Sequence, residues 1–144
     1  MRYLMLMFLI VIGIAADEAI FTHYTYSGGF RYANVIYKEQ YNIMPSWNPG
    51  GTQSVPIDPT AAYQSAQRRF SSVNKLSDFP WEVAGVSLIP INGVDDKWVY
   101  EVRFRYSPPI GTGPGVYINI IVMLDGLAIE PVLSEWDMIN NRAR

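Results

Sequence analysis

The chain has 144 residues, with 11 Lys and Arg against 13 Asp and Glu, a formal net charge of −2, and no cysteine. This length suits one domain with a real hydrophobic core and is small for two. The acidic balance lacks the basic footprint of nucleic-acid binding, and the lack of cysteine excludes thiol catalysis and disulfide support.

The first segment has the pattern of an export signal. Arg2 supplies a positive charge, Tyr3–Ile14 is an apolar run, and the small residues Ala15-Ala16 follow. A basic start, an apolar stretch of about 7 to 15 residues and a small-residue cleavage site describe a signal peptide. We therefore predict a signal peptide over residues 1–15, with cleavage one residue later left open, and a single secreted or periplasmic domain over residues 16–144.

Two further features bear on location. The apolar run is shorter than the ~20 residues that a membrane-spanning helix needs, so we expect no stable membrane anchor after signal removal. The lack of disulfides fits a bacterial envelope better than the disulfide-rich secreted mini-proteins.

The mature chain would begin with an aromatic-rich segment, Phe21–Tyr41, which Ser27-Gly28-Gly29 divides in two. Aromatic enrichment on both sides of a glycine pair predicts a β-hairpin or two irregular strands. The next segment, Met44–Pro56, is rich in Pro and Gly and predicts a surface loop.

A helix is predicted from Pro59 to about Asn74. Asp58 is a preferred N-cap, and Pro at the first helical position loses no needed hydrogen bond. One face is apolar at helical spacing and is expected to be buried: Ala62, Ala66, Phe70 and Val73.

From Trp81 onward the apolar residues alternate with period two, which indicates β-strands. Gly85 in the first strand indicates a bulge, and Asp125-Gly126 favours a tight turn into a fourth strand. The tail from Ser134 to Arg144 is predicted as a short helix or a frayed end. The predicted strands are Trp81–Ile89, Trp98–Tyr106, Val116–Leu124 and Leu127–Val132.

These elements predict an α+β fold. One main helix would pack on an antiparallel sheet of three to four meandering strands, preceded by an aromatic-rich N-terminal hairpin or extended segment. The order helix, strand, strand, strand, with the segments Lys97–Val102 and Val122–Ile129, resembles the small exported domains of the PepSY-like and cystatin-like kind over residues 58–132. Such families look like peptidase-modulating or envelope-binding modules. No inhibitor loop can be mapped, so the resemblance implies the fold alone.

The inventory of reactive residues is small, and we predict no catalytic residue, no metal site and no cofactor. The single histidine, His23, has no nucleophile signature beside it and is interpreted as a packing or surface residue. The Gly111–Gly115 loop lacks the Lys and Ser or Thr of a phosphate-binding loop. Glu82 and Glu101 could act as paired carboxylates on a glycoside, but charge pairing with nearby arginines is the stronger interpretation.

The sheet face opposite the helix is the predicted partner-binding site. It carries charged and polar residues, yet Ile121 and Met123 on the same face are apolar and need a cover. The aromatic segment Phe21–Tyr41 is the favoured cover, and a protein partner or second subunit is the alternative. The predicted site residues are Glu101, Arg103, Arg105, Tyr117 and Asn119.

Two functions remain open. The leading hypothesis is an exported, small, non-catalytic binding or modulating domain of the bacterial cell envelope, whose partner is an envelope or secreted protein and not a nucleic acid. Homo-oligomerisation is left open. The alternative is a carbohydrate-binding or carbohydrate-active protein, because Trp47 and several Tyr rings could stack on sugars.

Overall fold

The computed structural model describes residues 17–75, 78–93, 96–106, 116–137 and 142–143. The predicted signal peptide and the Gly111–Gly115 loop lie outside the described residues. No helix in the described ranges is long and apolar enough to cross a membrane. In chain order the elements are β1 (Ala19–Ser27), β2 (Phe30–Tyr37), α1 (Lys38–Ile43), α2 (Pro59–Val73), β3 (Trp81–Pro90), β4 (Trp98–Tyr106), β5 (Val116–Met123), β6 (Val132–Asp137) and β7 (Arg142–Ala143).

The strands form two antiparallel sheets. The first sheet has the order β1-β2-β6-β7, in which the two-residue β7 pairs with β6, and the second has the order β3-β4-β5. The predicted fold class is therefore wrong. The protein is mostly β, with two sheets and two short helices, rather than one main helix packed on a single meandering sheet.

The error arises where the chain leaves β5. Beyond the turn, the Ile129 N–H still donates to the Ile121 carbonyl at 2.8 Å. Pro131 follows two residues later and has no N–H that could hydrogen-bond to β5. The chain then crosses to the first sheet, where β6 pairs with β2. The predicted fourth strand of the meander does not form, and the predicted helical or frayed tail is strand at β6 and β7.

The N-terminal hairpin is confirmed. Its two-residue turn consists of Gly28 and Gly29, with φ of 57° and 78°. Two positive φ angles in succession are what a type I′ turn requires, and glycine adopts them at little cost. Helix α1, which we did not predict, follows β2 directly, and the Tyr37 N–H donates to Gln40 Oε1 at 3.0 Å at its start.

Helix α2 is confirmed with its predicted start and buried face. Asp58 Oδ1 accepts a hydrogen bond from the Ala61 N–H at 2.8 Å, and Ala62, Ala66, Phe70 and Val73 are buried. The helix packs on the second sheet, where Phe70 stacks on Phe104 with 4.2 Å between ring centroids.

Strands β3, β4 and β5 are also confirmed, including a bulge beside Gly85, since the β3–β4 register shifts between Val83 and Gly85. The face of β4 toward α2 is apolar and packs in the main core with Ile118 and Ile120 of β5. Because the alternation of side chains along these strands matches the prediction, the predicted site residues do share the opposite face.

The first sheet covers part of that opposite face, as we favoured. A second buried cluster contains Ile36 of the hairpin with Ile121 and Met123 of β5. Asn34, which is 0 % exposed, reaches the free edge of β5, where its Nδ2 donates to the Asn119 carbonyl at 2.9 Å and its Oδ1 accepts from the Ile121 N–H at 3.3 Å. The second sheet is therefore the middle layer, between α2 and the hairpin.

Candidate functional site

The structure brings the predicted site residues together on adjacent strands. Arg103 of β4 lies opposite Asn119 of β5, and Arg105 lies opposite Tyr117. Since these positions share one face of the sheet, the spacing that we predicted from alternation is present. The hairpin, however, divides this set into a buried pair and an exposed group.

The buried pair is Glu101 and Asn119, which are 7 % and 5 % exposed. The Glu101 carboxylate accepts a hydrogen bond from Arg103 Nη2 at 2.8 Å, and its other oxygen lies 3.1 Å from His23 Nε2 on β1. The Asn119 N–H donates to Thr25 Oγ1 at 3.3 Å. These two residues hold the sheets together and are not available as a surface for a partner.

His23 links the two sheets through a shared contact. Its Nε2 lies 3.1 Å from Glu101 and 3.0 Å from the side-chain amide of Asn119, whose Oδ1 is buried and makes no hydrogen bond within the described residues. A proton on His23 Nε2 can be donated to the Glu101 carboxylate. Turning the Asn119 amide by 180° would place its Oδ1, in place of its Nδ2, beside the same proton as a second acceptor. His23, which we interpreted as a packing or surface residue, is thus a partly buried polar link between the two sheets.

The two carboxylates considered for glycoside chemistry are held apart. Glu82 lies opposite Arg105 and Glu101 lies opposite Ser87, so their positions differ by four residues along β4, or about 13 Å. Glycosidase carboxyl pairs are roughly 5 to 9.5 Å apart. Each carboxylate instead pairs with an arginine, and the hydrogen bond and charge of Glu82 raise the pKa of Arg105 above its ordinary value. The geometry gives a catalytic pair no support.

The exposed group is Arg103, Arg105 and Tyr117. The Arg103 guanidinium lies 5.9 Å from the centroid of the Tyr117 ring, and its side chain is half exposed. Tyr117 is 38 % exposed. Two cations and one aromatic ring therefore remain open at the end of the sheet near the hairpin turn.

Beside Tyr117 lies a groove between the hairpin turn and the start of β5, with a volume of about 590 Å³. We call it the hairpin groove. Both sheets contribute walls, and half of its ten lining residues are aromatic. Its aromatic lining residues are Tyr24, Tyr26, Phe30, Tyr117 and Trp136.

A second feature on the outer face of the first sheet adjoins this groove. The Arg31 guanidinium lies over the rings of Tyr24 and Trp136, at 5.3 Å and 5.6 Å from their centroids, and Arg31 Nε donates to Ser134 Oγ at 3.2 Å. We call these four residues the Arg31 cluster. Sequence reasoning missed it because Trp136 lies about 110 residues from the hairpin, and only the pairing of β6 with β2 brings it there.

The ring of Trp47, a predicted sugar-stacking residue, is partly buried. Trp47 packs against the main core, its Nε1 donates to the Gln53 carbonyl at 3.0 Å, and its ring meets the edge of Trp98 at 5.9 Å. Three of the exposed rings, those of Tyr24, Tyr26 and Tyr117, line the hairpin groove instead. In the described part of the chain, no three His, Cys, Asp or Glu residues form a group that could hold a metal ion.

Comparison with models of known protein families, with curated proteins and with solved structures gives no match. The interpretation of function therefore depends on the chemistry of the hairpin groove and of the charged residues beside it.

Proposed function

We propose that this protein is an exported, non-catalytic binding module of the bacterial cell envelope, and that its ligand lies in the hairpin groove. The observation that carries the proposal is the concentration of aromatic rings in one concave site built by both sheets. Ligand sites are typically concave and mostly apolar, with a few polar groups that fix orientation. The predicted signal peptide supports the location.

The exposure of the groove residues also supports binding. Tyr24 and Tyr26 are 48 % and 45 % exposed. A Tyr ring offers flat apolar area at low entropic cost together with a hydroxyl, so such rings are common where proteins recognise ligands. Arg103 lies against Tyr117 beside the groove and adds a half-exposed guanidinium, whose charge is paired with Glu101. The exposed part of the predicted partner-binding face and the groove therefore meet at Tyr117.

The experiment uses protein purified after expression of the full chain in an exporting host. Retention on an envelope fraction of the producing cells is measured for the parent, for Tyr117→Ala and for Leu127→Ala. Leu127 is 48 % exposed and lies in the turn after β5, away from the groove, so it is a matched control. We expect Tyr117→Ala to weaken retention about tenfold, the loss of one well-placed aromatic contact, and the control to bind like the parent.

Equal retention of all three proteins, or retention of none, would contradict the proposal. The mass of the purified parent tests the location in the same preparation. A chain that starts at Ala16 or Asp17 is expected, and a chain that keeps its first residues in the membrane fraction would remove the export part of the proposal.

A carbohydrate-binding role is the second candidate, and a specific observation favours it. Tyr26 packs against Trp136 with ring centroids 4.8 Å apart and ring planes inclined by 53°, and the Tyr26 ring is exposed. One face of an exposed aromatic ring suits the flat C–H face of a sugar ring. This candidate specifies the ligand of the proposed module rather than a different kind of protein.

A further inference from the structure

Arg31 is a half-buried cation without an ionic partner among the residues that the structure describes. By contrast, Arg103 and Arg105 each pair with a glutamate. A partly desolvated charge is costly unless something compensates it, and here two aromatic rings and one serine do so in part.

The hydrogen-bonding capacity of Arg31 is mostly unused. A guanidinium has five N–H donors, and the contact with Ser134 uses only the one on Nε. Neither Nη atom has a hydrogen-bond acceptor in the described ranges. Two Nη groups held in one plane present a fork that matches the two oxygens of a carboxylate. The rings and the serine fix the orientation of this fork before any ligand arrives.

Two aromatic rings lie beside this fork, with their planes inclined by 53° to each other, and the Tyr26 ring is the more exposed of the two. Trp136 contacts both Arg31 and Tyr26, so the cation and the Tyr26 ring share one neighbour. A ligand that fits both features carries a carboxylate at a fixed position on a ring with an apolar face. Uronic acids have this chemistry, because their carboxyl group is attached to the sugar ring itself.

We propose that the Arg31 cluster binds the carboxylate of a uronic acid in an acidic polysaccharide whose sugar ring stacks on the exposed ring of Tyr26. This inference rests on the proposed function and names its ligand class. An acidic peptide fits less well, since its carboxylates are on flexible side chains that must be ordered on binding. The protein has a net charge of −2, so nonspecific attraction to a polyanion does not explain such binding.

The experiment titrates the purified protein with polygalacturonate and with its methyl-esterified form, by calorimetry and by tryptophan fluorescence. Esterification removes the carboxylate charge and leaves the sugar rings, so this comparison needs no protein variant. We expect the ester to bind at least tenfold more weakly. Arg31→Gln and Arg31→Lys should both lose about tenfold, because lysine keeps the charge but not the fork.

Arg69→Gln is the matched control, since Arg69 of α2 pairs with Glu130, belongs to neither the Arg31 cluster nor the hairpin groove, and should leave binding unchanged. Thermal unfolding of each variant separates lost binding from lost folding. Equal affinity for the polymer and its ester would overturn the inference, as would binding of poly-glutamate without binding of polygalacturonate. If neither polysaccharide binds while retention on the envelope fraction still depends on Tyr117, this inference fails and the proposed function stands.

Discussion

At the scale of single residues, the Asn34 side chain makes two hydrogen bonds to the backbone at the edge of β5. A neighbouring strand would otherwise make such bonds. The Asn34 amide donates to one backbone group of β5 and accepts from another, at full burial. A buried backbone group left without a partner costs about 1 to 3 kcal/mol. This side chain therefore joins the two sheets and closes an edge that would otherwise be open to another chain.

We predict that Asn34→Ala lowers the free energy of unfolding by about 2 to 4 kcal/mol, because it orphans the Asn119 carbonyl and the Ile121 N–H together. Chemical denaturation measures the change. Asn42→Ala, at an exposed position of α1, is the matched control and should shift stability by less than about 0.5 kcal/mol. A loss at Asn34 no larger than the control would mean that water satisfies the edge instead.

Residue-scale reasoning predicted part of the candidate site. Alternation along β4 and β5 was enough to place Arg103, Arg105 and Tyr117 on one face, because the period of a strand is local information. It could not show that the hairpin buries Glu101 and Asn119, since burial depends on which distant element covers the face.

At the scale of elements, the turn between β1 and β2 depends on glycine, because its backbone has positive φ angles. Gly29 has φ of 78°, and a Cβ added to it would meet nothing within 4 Å. Any cost of a larger residue here is therefore conformational and not steric crowding by neighbours. The turn also aligns the hairpin with β6, because the Trp136 N–H donates to the Gly29 carbonyl at 2.7 Å.

We predict that Gly29→Ala destabilises the protein by about 1 to 2 kcal/mol, the cost of holding an L-residue with a side chain in the left-handed region. Gly85→Ala is the control, because that glycine also has open space around it but no positive φ. Its effect should lie within about 0.5 kcal/mol. Equal effects at the two positions, measured by thermal unfolding, would contradict the conformational argument.

The elements that we predicted correctly are those whose start or turn is determined by residues of the same segment. The start of α2 follows from Asp58-Pro59, and the hairpin turn follows from Gly28-Gly29. Helix α1 was missed because its six residues are too short for a periodic pattern. Strand β6 was misassigned because its segment has no clear strand pattern of its own. It is a strand because it pairs with β2, and pairing with a distant strand overrides local propensity.

At the scale of the whole molecule, the first and last parts of the chain complete one sheet. β6 pairs with β2 across about 100 residues, and Leu133 of β6 packs against the same core that α2 and β4 form. Contacts of this kind cannot be read from a local pattern, and this is why the fold class was wrong while most of the elements were right. A shared core also implies that the two sheets unfold together.

We predict that Leu133→Ala lowers the free energy of unfolding by about 1 to 3 kcal/mol, less than a fully buried leucine because Leu133 is only partly buried. Val132→Ala is the matched control on the same strand, since Val132 is 55 % exposed, and it should cost less than about 1 kcal/mol. Unfolding followed by tryptophan fluorescence and by far-UV circular dichroism should give one coincident transition for the parent and both variants. If Leu133→Ala instead separated the two transitions, the first sheet would be an independent unit that opens on its own, and the hairpin groove would exist only while β6 stays docked.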